Sequence, residues 1–170
     1  MVVKSPVPIS SSLYRSLESA YFHDCYSIEI PNENRSPLEL YLYMFSKTPG
    51  WIDFLMKSRN SFVKLLGLKD LGKLSGVSEK TPASQYRIGD RAGIFKLLEM
   101  GETEVVLGET DRHLDVKLSL LKLSSEGKVT VFVSTVVHVH NVLGRIYMFF
   151  IKPAHKVIAP ATVVKLATTQ

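Results

Sequence analysis

The chain has 170 residues, a hydrophobic fraction of 45% and a charged fraction of 22%, which exclude a disordered polar segment and predict a single folded domain over residues 1–170. Its formal net charge is +5, but the basic residues are spread along the chain, so the charge does not indicate a nucleic-acid partner. Cys25 is the single cysteine, which excludes an intrachain disulfide and is typical of a reducing compartment, so we expect a cytoplasmic protein.

The N-terminal part of the chain predicts an arm, a short helix and a first strand. Residues 1–12 are rich in Ser and Pro and carry no periodic pattern, which predicts an extended arm without an export signal. Residues 13–22 predict a short helix. Apolar side chains then alternate with polar ones from Tyr26 to Ile30, and Pro31 ends the run, so a strand is expected here.

Two helices are predicted after this strand. Ser36, Pro37 and Glu39 form the pattern of a capping box with proline at the first helical position, which favours a helix start. A second signal of a cap followed by proline, and a glycine typical of a helix end, predict another helix over residues 49–66. Residues 69–82 lack periodicity and predict a loop that could cover a cavity.

The middle of the chain changes to short strands separated by turn residues. Ser, Glu and Gly at positions 124–127 predict a hairpin turn between the last two long strands. The pattern predicts an antiparallel meander, with strands near residues 87–89, 93–98, 104–108, 113–123 and 128–140.

A long helix is predicted at the C-terminal end, after Asn141, which is a good N-cap residue. Pro153 and Pro160 lie inside this pattern, so we expect a kinked helix or two helices in tandem. The most apolar stretch, residues 142–151, falls well short of the roughly 20 residues that a membrane span needs. The sequence therefore predicts an α+β fold in which a curved antiparallel sheet wraps around a long C-terminal helix.

This order of elements resembles the START-like helix-grip superfamily (SRPBCC), whose sheet encloses an apolar cavity. More specific motifs resemble a bacterial family of unknown function placed in that superfamily, whose members are sometimes fused behind a nucleotide-binding epimerase-like domain. The resemblance spans roughly residues 17–166 and implies a fold without established catalytic residues. Its motifs are Thr48-Pro49-Gly50-Trp51, Ser58-Arg59-Asn60, Gly67-Leu68, Gly93-Ile94-Phe95, Gly108 with Asp111, His113-Leu114-Asp115, Leu143-Gly144-Arg145-Ile146-Tyr147, and Lys152-Pro153 with His155.

Aromatic residues along the chain have two interpretations, a fully packed core or the lining of a cavity. Composition favours the packed core, and the resemblance favours the cavity to about the same extent. We predict that aromatic side chains give the cavity its shape and that an arginine anchors a polar group at its mouth. The candidate ligand-binding residues are Trp51, Arg59, Phe95, Phe132, Arg145 and Tyr147.

A polar cluster is the sharpest chemical feature of the sequence. His113 and Asp115 lie on one predicted strand and His138 and His140 on the next, so each pair points to one face. The turn leaves the register of the two strands open, but in the more self-consistent register all four meet on a polar face, opposite an apolar face. Such a set could hold a divalent metal or transfer protons, with His113, His138 and His140 as candidate ligands. The alternative is a solvated outer sheet face with hydrogen bonds between histidine and aspartate.

The leading functional hypothesis is a binding module without catalysis or cofactor, which takes up an apolar or amphipathic small molecule. Motifs of common enzyme classes are missing from the sequence, and Cys25 is expected to be a core residue rather than a nucleophile. One alternative is an enzyme of the cyclase, isomerase or hydrolase type that uses His113, Asp115 and His138. Another is an interaction accessory to an oxidoreductase.

Overall fold

A computed structural model describes residues 1–31, 33–65, 81–125 and 127–168, without the side chains of residues 59–65 and 168. Most of the loop predicted over residues 69–82 lies outside this range. The helices are α1 (Pro37–Ser46), α2 (Gly50–Leu65) and α3 (Val142–Val163), and short 3-10 helices cover Tyr14–Leu17, Ala83–Gln85 and Val164–Thr168. The strands are β1 (Val3–Lys4), β2 (Phe22–Pro31), β3 (Arg91–Ala92), β4 (Phe95–Met100), β5 (Glu104–Thr110), β6 (Leu114–Ser125) and β7 (Lys128–Val139).

These seven strands of the described residues form one antiparallel, curved and unclosed sheet. The strand order is β1-β2-β7-β6-β5-β4-β3. Strands β3 to β7 therefore form the predicted meander, and β7 ends it beside β2. Ten consecutive residue pairs join β2 to β7, from Phe22 opposite Val137 to Pro31 opposite Lys128. The α+β architecture predicted from the sequence, with two helices before the meander and a long helix after it, is confirmed.

Helix α1 begins at the predicted capping box. The Glu39 backbone N–H donates to Ser36 Oγ at 3.2 Å, and the Ser36 N–H donates to the Glu39 carboxylate at 2.7 Å. Tyr41 lies fully inside, and its hydroxyl donates to the Ala92 carbonyl at 2.8 Å. The helix therefore fixes one end of the core against the β3 edge of the sheet.

The core lies on one side of the sheet, which we call the inner face. It carries alternate aliphatic side chains of each central strand, packed against α1 and the end of α3. The largest fully buried side chains of this core are Ile28, Leu40, Tyr41, Met44, Ile52, Leu97, Val105, Leu107, Leu120 and Leu166.

The N-terminal arm covers the other side of the sheet, the outer face. Leu13 is 2% exposed and packs against Val106 and Val136, while β1 pairs with β2 and forms the edge of the sheet. The helix predicted over residues 13–22 is only a single 3-10 turn, Tyr14–Leu17. The arm is thus a structural cover for the sheet, because its apolar side chains remove part of the outer face from water.

A half-buried carboxylate fastens this arm to the sheet. Glu104 on β5 accepts hydrogen bonds from Ser11 Oγ at 2.6 Å and from the Ser12 backbone and side chain at 2.9 and 2.8 Å. Ser119 on β6 donates to the same carboxylate. Burial opposes ionisation, but the hydrogen bonds from Ser11, Ser119 and Ser12 outweigh it and lower the pKa of Glu104.

Two local predictions differ from the structure. Residues 87–89 form a turn rather than a strand, because the Arg87 N–H donates to Asp90 Oδ2 at 2.8 Å and Gly89 has a positive φ of 97°. Helix α3 runs continuously through Pro153 and Pro160 rather than as two helices. Among the described residues, no helix is long and apolar enough to cross a membrane.

Candidate ligand cavity

A cavity of about 410 Å³ lies between the inner face of the sheet and α3. Strands β2 and β4 to β7 form its floor, α3 lies over it, and α1 and α2 close one side. Most of its lining is aliphatic or aromatic. Representative lining residues are Phe22, Phe95, Leu118, Val133, Tyr147 and Ile158.

The alternation of β6 and β7 produces this apolar floor. Residues directly opposite each other in an antiparallel pair share a face, so Val116 with Val137 and Leu118 with Thr135 point inward together. This register is the one that the sequence favoured. Val116 packs against both the main core and a smaller cluster around Tyr147, and both clusters contribute to the cavity lining.

Most polar groups that line the cavity are engaged in holding the fold. Glu109 Oε2 accepts from Arg91 at 2.7 Å, and Asp111 Oδ1 accepts the backbone N–H groups of His113 and Leu114 at 2.7 and 3.0 Å. Thr162 Oγ1 donates to a carbonyl one turn earlier in α3. These groups shape the cavity wall more than they offer free hydrogen-bonding positions.

A histidine and an aspartate meet at the cavity wall. His155 Nδ1 lies 3.0 Å from Asp24 Oδ2, and the side chains are 25% and 4% exposed, respectively. Asp24 comes from the inner face of β2, opposite Thr135, and His155 comes from α3 and lines the cavity. The imidazole also packs edge-on against Phe22, with ring centroids 5.6 Å apart. The pair joins the terminal helix to the sheet.

Two of the predicted ligand-binding residues, Phe95 and Tyr147, line the cavity, and both are 8% exposed. Phe95 starts β4, and Tyr147 lies on the buried side of α3. The alternation of the strand and the helical spacing place both rings inward. Arg59 belongs to α2, whose residues Leu55, Met56 and Ser58 reach the cavity, but its own side chain lies outside the described residues.

The other predicted ligand-binding residues lie away from the cavity. Phe132 is paired with Ser27 and Leu121, which places its ring on the outer face. Trp51 is 45% exposed on α2, and Arg145 is exposed near the start of α3. Their positions follow from the strand register and from helix rotation, which aromatic content alone does not determine.

The predicted polar cluster also lies away from the cavity. Asp115 and His138 face each other directly across β6 and β7 on the outer face. His140 Nε2 lies 3.1 Å from Asp115 Oδ2, and His138 Nε2 lies 3.0 Å from the Ser16 carbonyl of the N-terminal arm. An acid–base role for His113, Asp115 and His138 on a molecule bound in the cavity therefore has no geometric support.

His113 helps to start helix α3. Arg112 Nε donates to His113 Nε2 at 2.8 Å, so the proton of a neutral imidazole is on Nδ1, 3.1 Å from Asn141 Oδ1. The same Asn141 oxygen accepts the Gly144 N–H at 3.2 Å as the helix N-cap. In the described part of the chain, no three side chains of His, Cys, Asp or Glu are placed to hold a metal ion. The candidate ligands His113, His138 and His140 each bond a different partner instead.

Cys25 is buried on the outer face, opposite Ser134 in β7. Burial raises the pKa of its thiol, with a smaller contribution from the negative charge of Asp24 in the same direction. The thiol is therefore a core group, as the sequence predicts.

Sequence reasoning missed the pairing of Asp24 with His155. A signal for Asp24 was available, because it lies two residues before Tyr26 and so belongs to the buried face of the strand. No sequence pattern connects it to His155, which is 131 positions away. Only the packing of α3 onto β2 brings the two residues together.

The fold and the cavity define an α+β protein in which a curved antiparallel sheet holds a long C-terminal helix above an apolar space. This arrangement is compatible with a helix-grip fold. The chain belongs to the family described as a protein of unknown function (DUF2867), whose model matches residues 16–162. A comparison with curated proteins found no match.

Proposed function

We propose that the protein binds an apolar or amphipathic small molecule in the cavity between the sheet and α3. The observation that carries this proposal is the cavity itself, about 410 Å³ in volume and lined mainly by apolar side chains. Small-molecule sites typically have volumes of about 300–1,000 Å³ and a few convergent polar groups. Phe95 and Tyr147 would contact the ligand and give the site its shape.

The sequence resemblance supports the same proposal. A START-like helix-grip protein of bacterial origin would use this space between sheet and helix for an apolar ligand. Helix α2 contributes Leu55 and Met56 to the lining, so Arg59 on the same helix stays a predicted polar anchor.

Native mass spectrometry of protein purified without added ligand tests the proposal directly. A reproducible added mass, identified after denaturing extraction as an apolar molecule, is the expected result. If only the bare chain mass appears in every preparation, the proposal is tested instead by the binding of an added probe.

A pair of substitutions on α3 then locates the site. Ala154 lines the cavity, whereas Val157 is 59% exposed on the same helix. Ala154→Trp places an indole in the cavity and should weaken binding of the neutral fluorescent probe N-phenyl-1-naphthylamine by about tenfold or more, from the cost of overpacking. Val157→Trp is the matched control and should bind like the wild type. Equal binding by both variants, or no probe binding by the wild type, would contradict the proposal.

A second candidate function is that of an interaction accessory to an oxidoreductase. It is favoured by apolar residues at helical spacing on α3, where Val142, Ile146, Phe149 and Val157 are 69%, 42%, 73% and 59% exposed. Exposed apolar surface of this kind is typical of interaction sites. Light scattering after gel filtration should then show self-association that Phe149→Glu abolishes, and a strictly monomeric wild type would argue against association through this face.

A further inference from the structure

The pair formed by Asp24 and His155 does more than join α3 to the sheet. Buried polar groups are nearly always hydrogen-bonded. Here Asp24 Oδ1 is buried and has no hydrogen-bond partner among the described residues. His155, in turn, contributes to the cavity lining and stays 25% exposed. The pair is therefore buried on the sheet side and accessible on the cavity side.

The geometry orients the imidazole, with Nδ1 facing the Asp24 carboxylate and Nε2 directed away from it. An ionised carboxylate only accepts hydrogen bonds, so the proton between the two residues is on His155 Nδ1. In the neutral ring, Nε2 then carries a lone pair and is an acceptor. No described residue provides a hydrogen bond to this atom. The cavity thus contains an oriented acceptor in an apolar setting.

The other charges around the cavity narrow the choice of ligand. Among the described lining residues, the carboxylates are Glu109 and Asp111, the phenol is Tyr147, and there is no lysine or arginine. Arg91 is paired with Glu109 at 2.7 Å, and Lys152, three residues before His155 on α3, has its Nζ over the Tyr21 ring at 4.1 Å. These acidic neighbours would repel an anionic head group inside the cavity, whereas they would not repel an uncharged hydrogen-bond donor.

We propose that His155, oriented by Asp24, is the polar subsite of the cavity and accepts a hydrogen bond from the hydroxyl group of an otherwise apolar, uncharged ligand. This inference rests on the proposed function, because it requires a ligand in the cavity. The ligand class is an aromatic or alicyclic alcohol or phenol. Asp24 acts as a positioning residue, since it fixes the ring orientation and tautomer without touching the ligand.

Three probes with one ring system test the ligand class, namely naphthalene, 2-naphthol and 2-naphthoate, each titrated by displacement of N-phenyl-1-naphthylamine. One hydrogen bond to His155 should make 2-naphthol bind about three- to tenfold more tightly than naphthalene. Binding of 2-naphthoate should be the weakest. Equal affinities for naphthalene and 2-naphthol, or tightest binding of 2-naphthoate, would overturn the inference and leave the cavity itself established. Failure of N-phenyl-1-naphthylamine to bind would overturn the proposed function as well.

Two variants assign the effect to His155. His155→Phe keeps a ring against Phe22 but has no acceptor, so the ratio of the affinities for 2-naphthol and naphthalene should fall to about one. His23→Phe, an exposed histidine beside Asp24 in sequence, is the matched control and should keep the preference. Retention of the preference in His155→Phe would overturn the inference.

A spectroscopic measurement on the wild type does not depend on whether the variants fold. Nitrogen-15 chemical shifts of the His155 imidazole should show the proton on Nδ1 and an unprotonated Nε2. Addition of 2-naphthol should move the Nε2 resonance, and addition of naphthalene should leave it in place. A ring protonated on Nε2, whether alone or together with Nδ1, or equal responses to both probes, would overturn the role of Asp24 and His155.

Discussion

Gly144 allows the first turn of α3 to lie directly against the sheet, and replacing it with alanine should destabilise the fold. A Cβ at this position would overlap the His113 carbonyl oxygen and lie 2.8 Å from Val139 Cγ1, closer than real Cβ atoms come. The carbonyl cannot easily retreat, because it accepts the His140 N–H at 2.8 Å in the end of the sheet. We expect the helix start to shift, and with it the wall of the cavity.

The magnitude follows from two opposing effects. Overpacking of a closed site costs about 1–3 kcal/mol, and alanine is favoured over glycine in a helix by up to about 1 kcal/mol. The net loss for Gly144→Ala should be about 1–2 kcal/mol. For a chain of this length that corresponds to a fall in Tm of about 2–8 °C.

Thermal unfolding followed by circular dichroism measures this change. Gly50→Ala is the matched control, since Gly50 begins α2 and a Cβ there has no neighbour within 4 Å. The control should keep or slightly raise Tm. If Gly144→Ala were as stable as the wild type, or if Gly50→Ala fell by as much, the steric argument would be refuted.

Three further predictions concern the groups that hold the arm, the core and the helix start. Asn141→Ala removes the N-cap of α3 and should cost about 1 kcal/mol or more in chemical denaturation, because the buried His113 also loses its partner. The pKa of Glu104 is lowered in the folded protein, so its ionised carboxylate stabilises the fold at pH values above its ordinary pKa of about 4.3. In acid titrations, the stability advantage of the wild type over Glu104→Gln should therefore shrink as the pH falls through the lowered pKa. Burial raises the pKa of Tyr41, so stability should fall above about pH 10 as the unfolded state ionises, and Tyr41→Phe should remove part of that fall in alkaline denaturation.

Local sequence signals predicted elements whose causes are local. The capping box at Ser36, the N-cap at Asn141 and the alternation of β6 and β7 all appear in the structure at the expected places. The prediction of a strand at residues 87–89 was wrong, because the Asp90 side chain and a glycine with positive φ stabilise a turn there. Glycine and arginine in a short run carry too little periodicity to separate the two possibilities.

The candidate site was predictable only in part. Phe95 and Tyr147 line the cavity because each belongs to a periodic apolar face, which the sequence reveals. Phe132 was misplaced, because it lies an even number of positions from His138 on β7 and so shares the outer face with it. The spacing of the histidines predicted a polar cluster, yet the alternation of β6 that places Leu114 in the cavity places Asp115 on the outer face.

The sequence by itself determined the element order, the apolar faces and the architecture of a sheet with a C-terminal helix, because periodicity and caps act over a few residues. Tertiary structure alone decided which side chains meet in the cavity. Asp24 and His155 are brought together by the packing of α3 across β2, and the arm is fixed to the outer face by Glu104. Both contacts join distant parts of the chain, so no local pattern specifies them.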